Sequence, residues 1–128
     1  MILFVPMPPE AKVAVIEDSM RWQQNYGRIL PSGGHSVVAT ATTFEAAMEL
    51  VPTLSEQRVQ VVILDGNLSE DRSDGIEGAM LAREIRLAHP DIKIVGISND
   101  DRGVRGAHKN VWKGDLVPNE LNDLITKL

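Results

Sequence analysis

Cysteine is absent from this chain of 128 residues, and no apolar run is long enough to cross a membrane. Without cysteine there can be no disulfide framework and no metal site built on thiolates. The absence is compatible with a reducing compartment, and we expect a cytoplasmic protein. A membrane-spanning helix needs roughly 18 or more consecutive apolar residues, so no association with a membrane is expected.

Basic residues are few for a nucleic-acid-binding protein. The 13 Lys and Arg residues are dispersed along the chain and are outnumbered by 18 Asp and Glu residues, which gives a formal net charge of −5. Because the phosphates of nucleic acids are bound by clustered Lys and Arg side chains, nucleic acid is not expected as a partner.

The length of the chain and its hydrophobic content of 43% suffice for one domain with its own core. The opening stretch MILFVPMPP contains three prolines and no basic side chain, so it predicts neither a helix nor a secretory signal. We therefore expect residues 1–10 to be an N-terminal extension and residues 11–128 to form the domain.

Two alternating periodicities predict the fold class. The segments that are rich in β-branched residues, as strands are, comprise 13–16, 37–39, 59–64, 92–97 and 110–113. Helical spacing of apolar residues occurs between them, within 22–30, 44–51, 81–88 and 118–128. Thr42 followed by Glu45 is typical of a capping box at the start of the second helix. The alternation predicts an α/β domain in which helices cover both faces of a parallel sheet.

One connection is too short for this scheme. Between Ser98 and the strand that starts near Asn110 there are two glycines and only two apolar side chains, Val104 and Ala107. This length is close to the minimum for a parallel crossover, so we expect a shortened or missing fourth helix. The uncovered edge of the sheet would favour a homodimer.

Polar side chains stand at the carboxyl ends of four predicted strands. Glu17 and Asp18 follow the first strand, Asp65 ends the third, Ser98 follows the fourth and Lys113 follows the fifth. In open α/β sheets ligands bind at these ends, where the strand order reverses. We therefore expect the five side chains to meet at one rim of the sheet.

The chemistry of these residues points to a phosphoryl group and a metal ion. Three neighbouring carboxylates repel one another unless a cation lies between them, and Mg²⁺ prefers such hard oxygen ligands. Asp18 and Asp65 would bind the ion directly and Glu17 through water. The Ser98 hydroxyl and the Lys113 ammonium suit the oxygens of a phosphoryl group. An oxygen of Asp65 could attack phosphorus to form an aspartyl phosphate.

In these motifs the chain resembles a known family, the receiver (CheY-like) domains of two-component response regulators. The resemblance covers about residues 11–128 and implies a flavodoxin-like, doubly wound, five-stranded parallel sheet in the order 2-1-3-4-5. The residues that carry it are the acidic pair Glu17 and Asp18, Asp65, a DG-x-x-G helix start at Asp74, Gly75 and Gly78, Ser98, and Lys113.

The resemblance also implies a role for each residue of the site. Asp65 would be the phosphoacceptor, and Asp18, Glu17 and the backbone carbonyl of Asn67 would complete the magnesium site. Ser98 and Lys113 would contact the phosphoryl group. The partners would be a sensor histidine kinase or phosphotransfer protein and an unknown downstream protein. Such a stand-alone domain would be a phosphoprotein that acts in signal transduction or in a phosphorelay. Its only reactions would be self-phosphorylation from a donor and autodephosphorylation, so it would not be an enzyme in the usual sense.

Two departures from the family lie near the end of the chain. Asn110 stands where receivers usually have an aromatic residue that moves on activation, and Gly114 stands where they usually have proline. The loop after Asp65 also lacks the usual proline. These departures fall on the usual output surface of the family, whereas the residues of the phosphorylation site are all present.

Other interpretations of the same residues remain open. Asp65 could be the nucleophile of a small phosphohydrolase, although such enzymes usually have a second acid where this chain has Asn67. The domain could also be a receiver-like interaction module that takes no phosphate. Glu17 and Asp18 could instead only stabilise the dipole of a helix at its N-terminus, with Ser19 as the capping residue. In the same way Asp65 or Ser98 could be turn residues and Lys113 a surface lysine. His35, His89 and His108 lack ligand spacing, and we expect them at the surface.

Overall fold

The computed structural model describes residues 10–68, 75–99 and 103–128. Strands and helices alternate within these ranges. The strands are β1 (Lys12–Ile16), β2 (Ser36–Ala41), β3 (Val61–Asp65), β4 (Lys93–Ser98) and β5 (Lys109–Trp112). The helices are α1 (Met20–Ser32), α2 (Phe44–Leu50), α3 (Ile76–Ala88) and α4 (Pro118–Thr126). Short 3-10 turns occupy Val51–Thr53 and Lys113–Asp115.

The five strands form one parallel sheet in the order β2-β1-β3-β4-β5. This confirms the flavodoxin-like fold class predicted from the sequence. In the register of the sheet Ile16 pairs with Leu64, and Asp65 pairs with Ile97. The chain therefore leaves β1, β3 and β4 at the same level, and the residues at these three strand ends share one rim.

The central strand β3 is buried along its whole length because helices cover both faces of the sheet. Val61 and Ile63 belong to a core cluster with side chains of α1 and α4. Val62 and Leu64 belong to a second cluster with side chains of α2 and α3. The alternation of side chains along a strand thus divides the apolar run before Asp65 between two cores.

Side-chain caps define where two helices begin. Ser19 Oγ accepts a hydrogen bond from Trp22 N at 3.3 Å at the start of α1. Thr43 Oγ1 accepts one from Ala46 N at 3.0 Å at the start of α2. The capping box predicted at Thr42 is therefore wrong by one residue, because β2 remains extended to Ala41 and the helix starts one residue later.

The connection between β4 and β5 contains no helix within its described residues, 103–108. Val104 is buried there and packs with the core under α2 and α3, and Ala107 packs against the same core. Asn110 Oδ1 accepts a hydrogen bond from Val104 N at 2.7 Å. The predicted shortening or loss of the fourth helix is consistent with these residues, in which Val104 contributes a buried side chain to the core.

The buried side chain of His35 shows that its predicted surface position is wrong. Its Nδ1 accepts a hydrogen bond from Ala11 N at 3.1 Å, and its Nε2 lies 3.3 Å from the carbonyl oxygen of Asn122 on α4. The imidazole therefore links the start of β1 to the last helix. No described helix has both the length and the apolar character needed to cross a membrane.

Candidate functional site

Three carboxylates meet at the rim formed by the ends of β1 and β3. Glu17 and Asp18 follow β1, Asp65 ends β3, and each of the three offers an oxygen within 4.8 Å of the others. Glu17 is 1% exposed and Asp65 is 7% exposed, whereas Asp18 is open to solvent. The structure thus brings together the three acids that the sequence placed at strand ends.

Hydrogen bonds hold the chain in place as it turns from β1 into α1. Ser19 N donates to Glu17 Oε2 at 3.3 Å. Gln23 Nε2 lies within hydrogen-bond distance of the carbonyl oxygens of Val15, Glu17 and Ala41, at 3.1 to 3.2 Å. Sequence reasoning missed Gln23, because a polar residue in the first turns of a helix gives no sign that it turns inward.

Lys113 extends this cluster from the far side of the sheet. Ser98 pairs with Trp112, so Lys113 lies just beyond the end of β5. Its Nζ is 2.7 Å from Glu17 Oε1 and 3.8 Å from Asp65 Oδ2, and its side chain is 7% exposed. The ammonium also lies 5.2 Å from the centroid of the Trp22 ring, in cation–π range.

Burial and mutual repulsion disfavour full ionisation of the three acids. Burial, followed by the neighbouring Glu17, raises the pKa of Asp65 far above its ordinary value. Burial and Glu17 also raise the pKa of Asp18. Burial acts to raise the pKa of Glu17 as well, but its interactions with Asp65 and Lys113 outweigh that effect and lower it. The cluster is therefore short of positive charge, which a metal cation would supply.

The acidic cluster fits a magnesium ion. Each ligand oxygen lies about 2.1 Å from Mg²⁺, so two oxygens on one ion are at most about 4.2 Å apart. The separation of up to 4.8 Å between the carboxylates is close to that limit, so small side-chain shifts would suffice. Exposed Asp18 leaves one side of the cluster open to the water molecules that Mg²⁺ usually retains.

Asn67 shapes the loop beside Asp65. Its backbone N donates to Asp65 Oδ1 at 3.4 Å, and its side-chain Oδ1 accepts a hydrogen bond from Gly75 N at 2.9 Å. The side-chain oxygen is thus engaged within the loop, so a metal ligand from Asn67 would be its backbone carbonyl. Asp74, which the sequence singled out beside Gly75, lies outside the described residues.

Two glycines allow α3 to start close to this loop. Gly75 precedes the helix with a φ of +75°, in the left-handed region that favours glycine. A Cβ on Gly78 would lie 2.8 Å from the Cα of Gly66, the residue after Asp65. In the DG-x-x-G motif, Gly75 therefore permits the turn before α3, and Gly78 permits a close backbone contact beside the site.

Ser98 lies on the same rim as Asp65. It follows Ile97, the residue that pairs with Asp65 across the sheet, and it is buried. It also lines one end of a cleft together with Gly66 and Asn67. The structure thus places Ser98 at the end of the strand adjacent to Asp65, as its position in the sequence predicted.

Comparison with known proteins decides the family. Residues 13–111 match the family model of the response regulator receiver domain. The chain belongs to this family. Receiver domains are signalling domains of two-component systems, and they typically bind Mg²⁺ through acidic residues. None of the proteins with curated functions matches the chain significantly.

Solved structures of several other proteins share the fold. PhyR of Brucella abortus is 23% identical with a TM-score of 0.74, and the alignment covers 94% of this chain and 48% of PhyR. NtrX of the same organism is 22% identical with a TM-score of 0.68, covering 93% of this chain and 26% of NtrX. A CheY-like receiver domain protein of Methanospirillum hungatei JF-1 is 15% identical with a TM-score of 0.73, covering 93% of both chains. The chain thus spans about half the length of PhyR and about a quarter of NtrX.

Proposed function

We propose that this receiver accepts a phosphoryl group on Asp65 from a phosphohistidine donor in a Mg²⁺-dependent reaction and signals by protein–protein interaction. The donor would be a sensor histidine kinase or a phosphotransfer protein. The observation that carries the proposal is the grouping of the buried Asp65 carboxylate with Glu17, Asp18 and Lys113 in one cluster. Burying an aspartate beside two acids and an ammonium group costs free energy, and a turn residue without a further role would be expected in solvent instead.

The transfer would form one bond and break another. An oxygen of Asp65 attacks phosphorus, and the bond from phosphorus to the donor imidazole breaks. The imidazole nitrogen leaves with the electron pair of that bond and takes up a proton from solvent. A bound Mg²⁺ would offset the negative charge on the carboxylates and the phosphoryl oxygens. Asp18 and Asp65 would hold the ion directly, the backbone carbonyl of Asn67 would complete its ligands, and Glu17 would reach it through water.

Ser98 and Lys113 would act on the phosphorylated form. The Ser98 hydroxyl would donate a hydrogen bond to a phosphoryl oxygen, and the Lys113 ammonium would pair with another. Lys113 already lies 3.8 Å from Asp65 Oδ2, so it needs only a small movement to follow a phosphoryl group attached there. The new contacts would shift Ser98 and Lys113, and this shift would be the start of the signal.

Incubation with acetyl phosphate and Mg²⁺ tests the proposal. We expect a mass increase of about 80 Da on Asp65, stable in acid and labile in base, as an aspartyl phosphate is. Asp65→Asn should take up no phosphate, and the matched control Asp123→Asn, an exposed acid on α4, should react like the unaltered chain. An adduct that persists in Asp65→Asn, or no adduct under any condition, would contradict the assignment.

The position of Asn67 favours phosphate acceptance over ester hydrolysis. An aspartate-nucleophile phosphohydrolase usually has a second acid two residues after the first. Here Asn67 stands at that position, and its side-chain oxygen accepts from Gly75 N. No general acid therefore stands at this position to protonate the leaving group of an ester. Turnover of a generic phosphate ester measured beside the labelling would decide between the two functions.

A further inference from the structure

A cleft of about 610 Å³ opens between α3 and the connection from β4 to β5. It lies where the connection forms turns within its described residues, 103–108. Its inner end reaches Gly66 and Ser98, on either side of the rim that holds Asp65. The cleft thus extends from the outer surface of α3 to residues next to Asp65.

The wall of the cleft formed by α3 is apolar and exposed. Ile76 and Met80 are each 47% exposed and Leu87 is 69% exposed, and all three line the cleft. Their spacing of i, i+4 and i+11 puts them along one side of the helix, away from its buried residues Leu81 and Ile85. Large apolar side chains grouped at the surface commonly mark a binding site.

Three arginines border this apolar strip. Arg83 and Arg86 extend from α3, and Arg105 extends from the opposite wall. Arg83 and Arg105 are exposed and form no ion pair with any described residue. No acidic residue is among the described residues that line the cleft, although the chain as a whole carries a net charge of −5. The described lining of the cleft is therefore basic and apolar, on a protein that is acidic as a whole.

We propose that this cleft binds an acidic amphipathic helix of a partner protein. Apolar side chains on one face of such a helix would contact Ile76, Met80 and Leu87. Acidic side chains beside them would pair with Arg83 and Arg105. A basic partner would leave these arginines opposed by like charges, so the charge of the cleft selects the class of partner.

Hydrogen bonds join the described part of the wall opposite α3 to β5 and to α3. The side-chain amide of Asn110 forms two hydrogen bonds with the backbone of Val104. Its Oδ1 accepts from Val104 N at 2.7 Å, and its Nδ2 donates to Val104 O at 3.4 Å. Arg86 Nη1 donates to the carbonyl oxygen of Gly106 at 2.8 Å and joins α3 to this wall. Asn110, which replaces the usual aromatic of the family, is thus used to hold the connection.

Binding of a designed peptide tests the proposal. The probe is a fluorescein-labelled helical peptide with leucines on one face and glutamates on both flanks, titrated with the full chain and followed by fluorescence anisotropy. The double variant Arg83→Glu, Arg105→Glu should weaken binding at least about tenfold, equivalent to about 1.4 kcal/mol. Leu87→Glu should weaken it similarly, and its high exposure means that the fold tolerates the change.

A matched charge reversal controls for general electrostatics. Arg28→Glu changes an exposed arginine on α1, which packs on the opposite face of the sheet, and it should leave the affinity unchanged. A peptide with lysines in place of the glutamates, and a scrambled peptide of the same acidic composition, should both bind at least about tenfold more weakly. The titration needs neither Mg²⁺ nor a phosphodonor, so a failure of the protein to accept phosphate leaves this proposal standing.

Three results would overturn the proposal. The first is equal binding of the amphipathic and scrambled acidic peptides, which would mean attraction by charge alone. The second is unchanged affinity in the double arginine variant. The third is a concentration-dependent dimer in sedimentation velocity that Leu87→Glu abolishes, because a second copy of this chain would then be the occupant of the cleft.

Discussion

Lys113 and Glu17 form a buried ion pair, with Lys113 Nζ 2.7 Å from Glu17 Oε1. The pair joins the ends of β5 and β1, two strands that are not neighbours in the sheet. Lys113 therefore neutralises Glu17 more directly than it does Asp65, whose Oδ2 lies 3.8 Å away. The phosphoryl group proposed on Asp65 would have to draw the ammonium from an existing partner, and phosphorylation would then be coupled to the contact between the two strands.

Removal of the Lys113 ammonium should destabilise the protein. In Lys113→Met the buried Glu17 carboxylate loses its partner, and breaking a buried ion pair in this way costs about 3 kcal/mol. Urea unfolding in EDTA measures the loss, and Mg²⁺ should restore part of it because the ion supplies the missing positive charge. Lys127→Met, at an exposed lysine after α4, should change stability little. An equal effect of the two substitutions would contradict the structural role of Lys113.

Asp65→Asn should stabilise the metal-free protein, increasingly so as the pH rises. Burial raises the pKa of Asp65 in the folded state, so above the ordinary aspartate value the unfolded chain ionises more readily than the folded one. The folded state then binds more protons, and its stability falls as the pH rises. Asparagine cannot ionise, so the variant does not lose this stability. Its free energy of unfolding relative to the unaltered chain should rise between about pH 5 and about pH 8, by on the order of 1 kcal/mol or more.

Thermal unfolding in EDTA across this pH range checks the expectation. Asp123→Asn provides the comparison, since its carboxyl is exposed and lies away from the cluster. A gain from Asp65→Asn that is constant with pH, or that is larger at the acidic end, would mean that the Asp65 carboxyl is not held in the environment described here.

Trp22 should report metal binding. Its ring lies 5.2 Å from Lys113 Nζ, beside the acidic cluster, whereas Trp112 is half exposed and donates its Nε1–H to the carbonyl oxygen of Asn99. In a Trp112→Phe background, Mg²⁺ should change Trp22 fluorescence saturably. Asp18→Asn should weaken the apparent affinity at least about tenfold, because this substitution removes a carboxylate that we propose as a direct ligand. A response that survives this substitution unaltered would place the ion elsewhere.

The rim of the sheet could be predicted from the sequence because topology alone brings its residues together. Apolar β-branched runs mark the strands, the alternation with helices makes the sheet parallel, and parallel strands end on the same side. Asp65, Ser98 and Lys113 each follow or end such a run, so their convergence needs no knowledge of side-chain packing. A shortened or missing helix after Ser98 was predicted in the same way, from a connection with two glycines and few apolar residues, and residues 103–108 form no helix.

Contacts that depend on the path of the folded backbone could not be predicted. His35 looks like a surface residue in the sequence, but its partner Asn122 is 87 residues away along the chain. Gln23 likewise is satisfied by carbonyl groups that only the packed ends of β1 and β2 bring near it. The cleft beside α3 also escaped prediction, because the exposed positions of Met80 and Leu87 depend on what packs beside the helix.

Gly78→Ala should destabilise the protein, although replacing glycine by alanine within a helix usually raises the free energy of unfolding by about 1 kcal/mol. The new Cβ would lie 2.8 Å from Gly66 Cα and 2.9 Å from Gly66 O, so α3 would have to move away from the loop after Asp65. Gly27→Ala is the matched control, since Gly27 is in α1 and its Cβ would meet nothing within 4 Å. Urea unfolding should show a loss for Gly78→Ala and a gain for Gly27→Ala. Gains for both would mean that the first turn of α3 is free to move, and that the close contact beside Asp65 does not constrain the site.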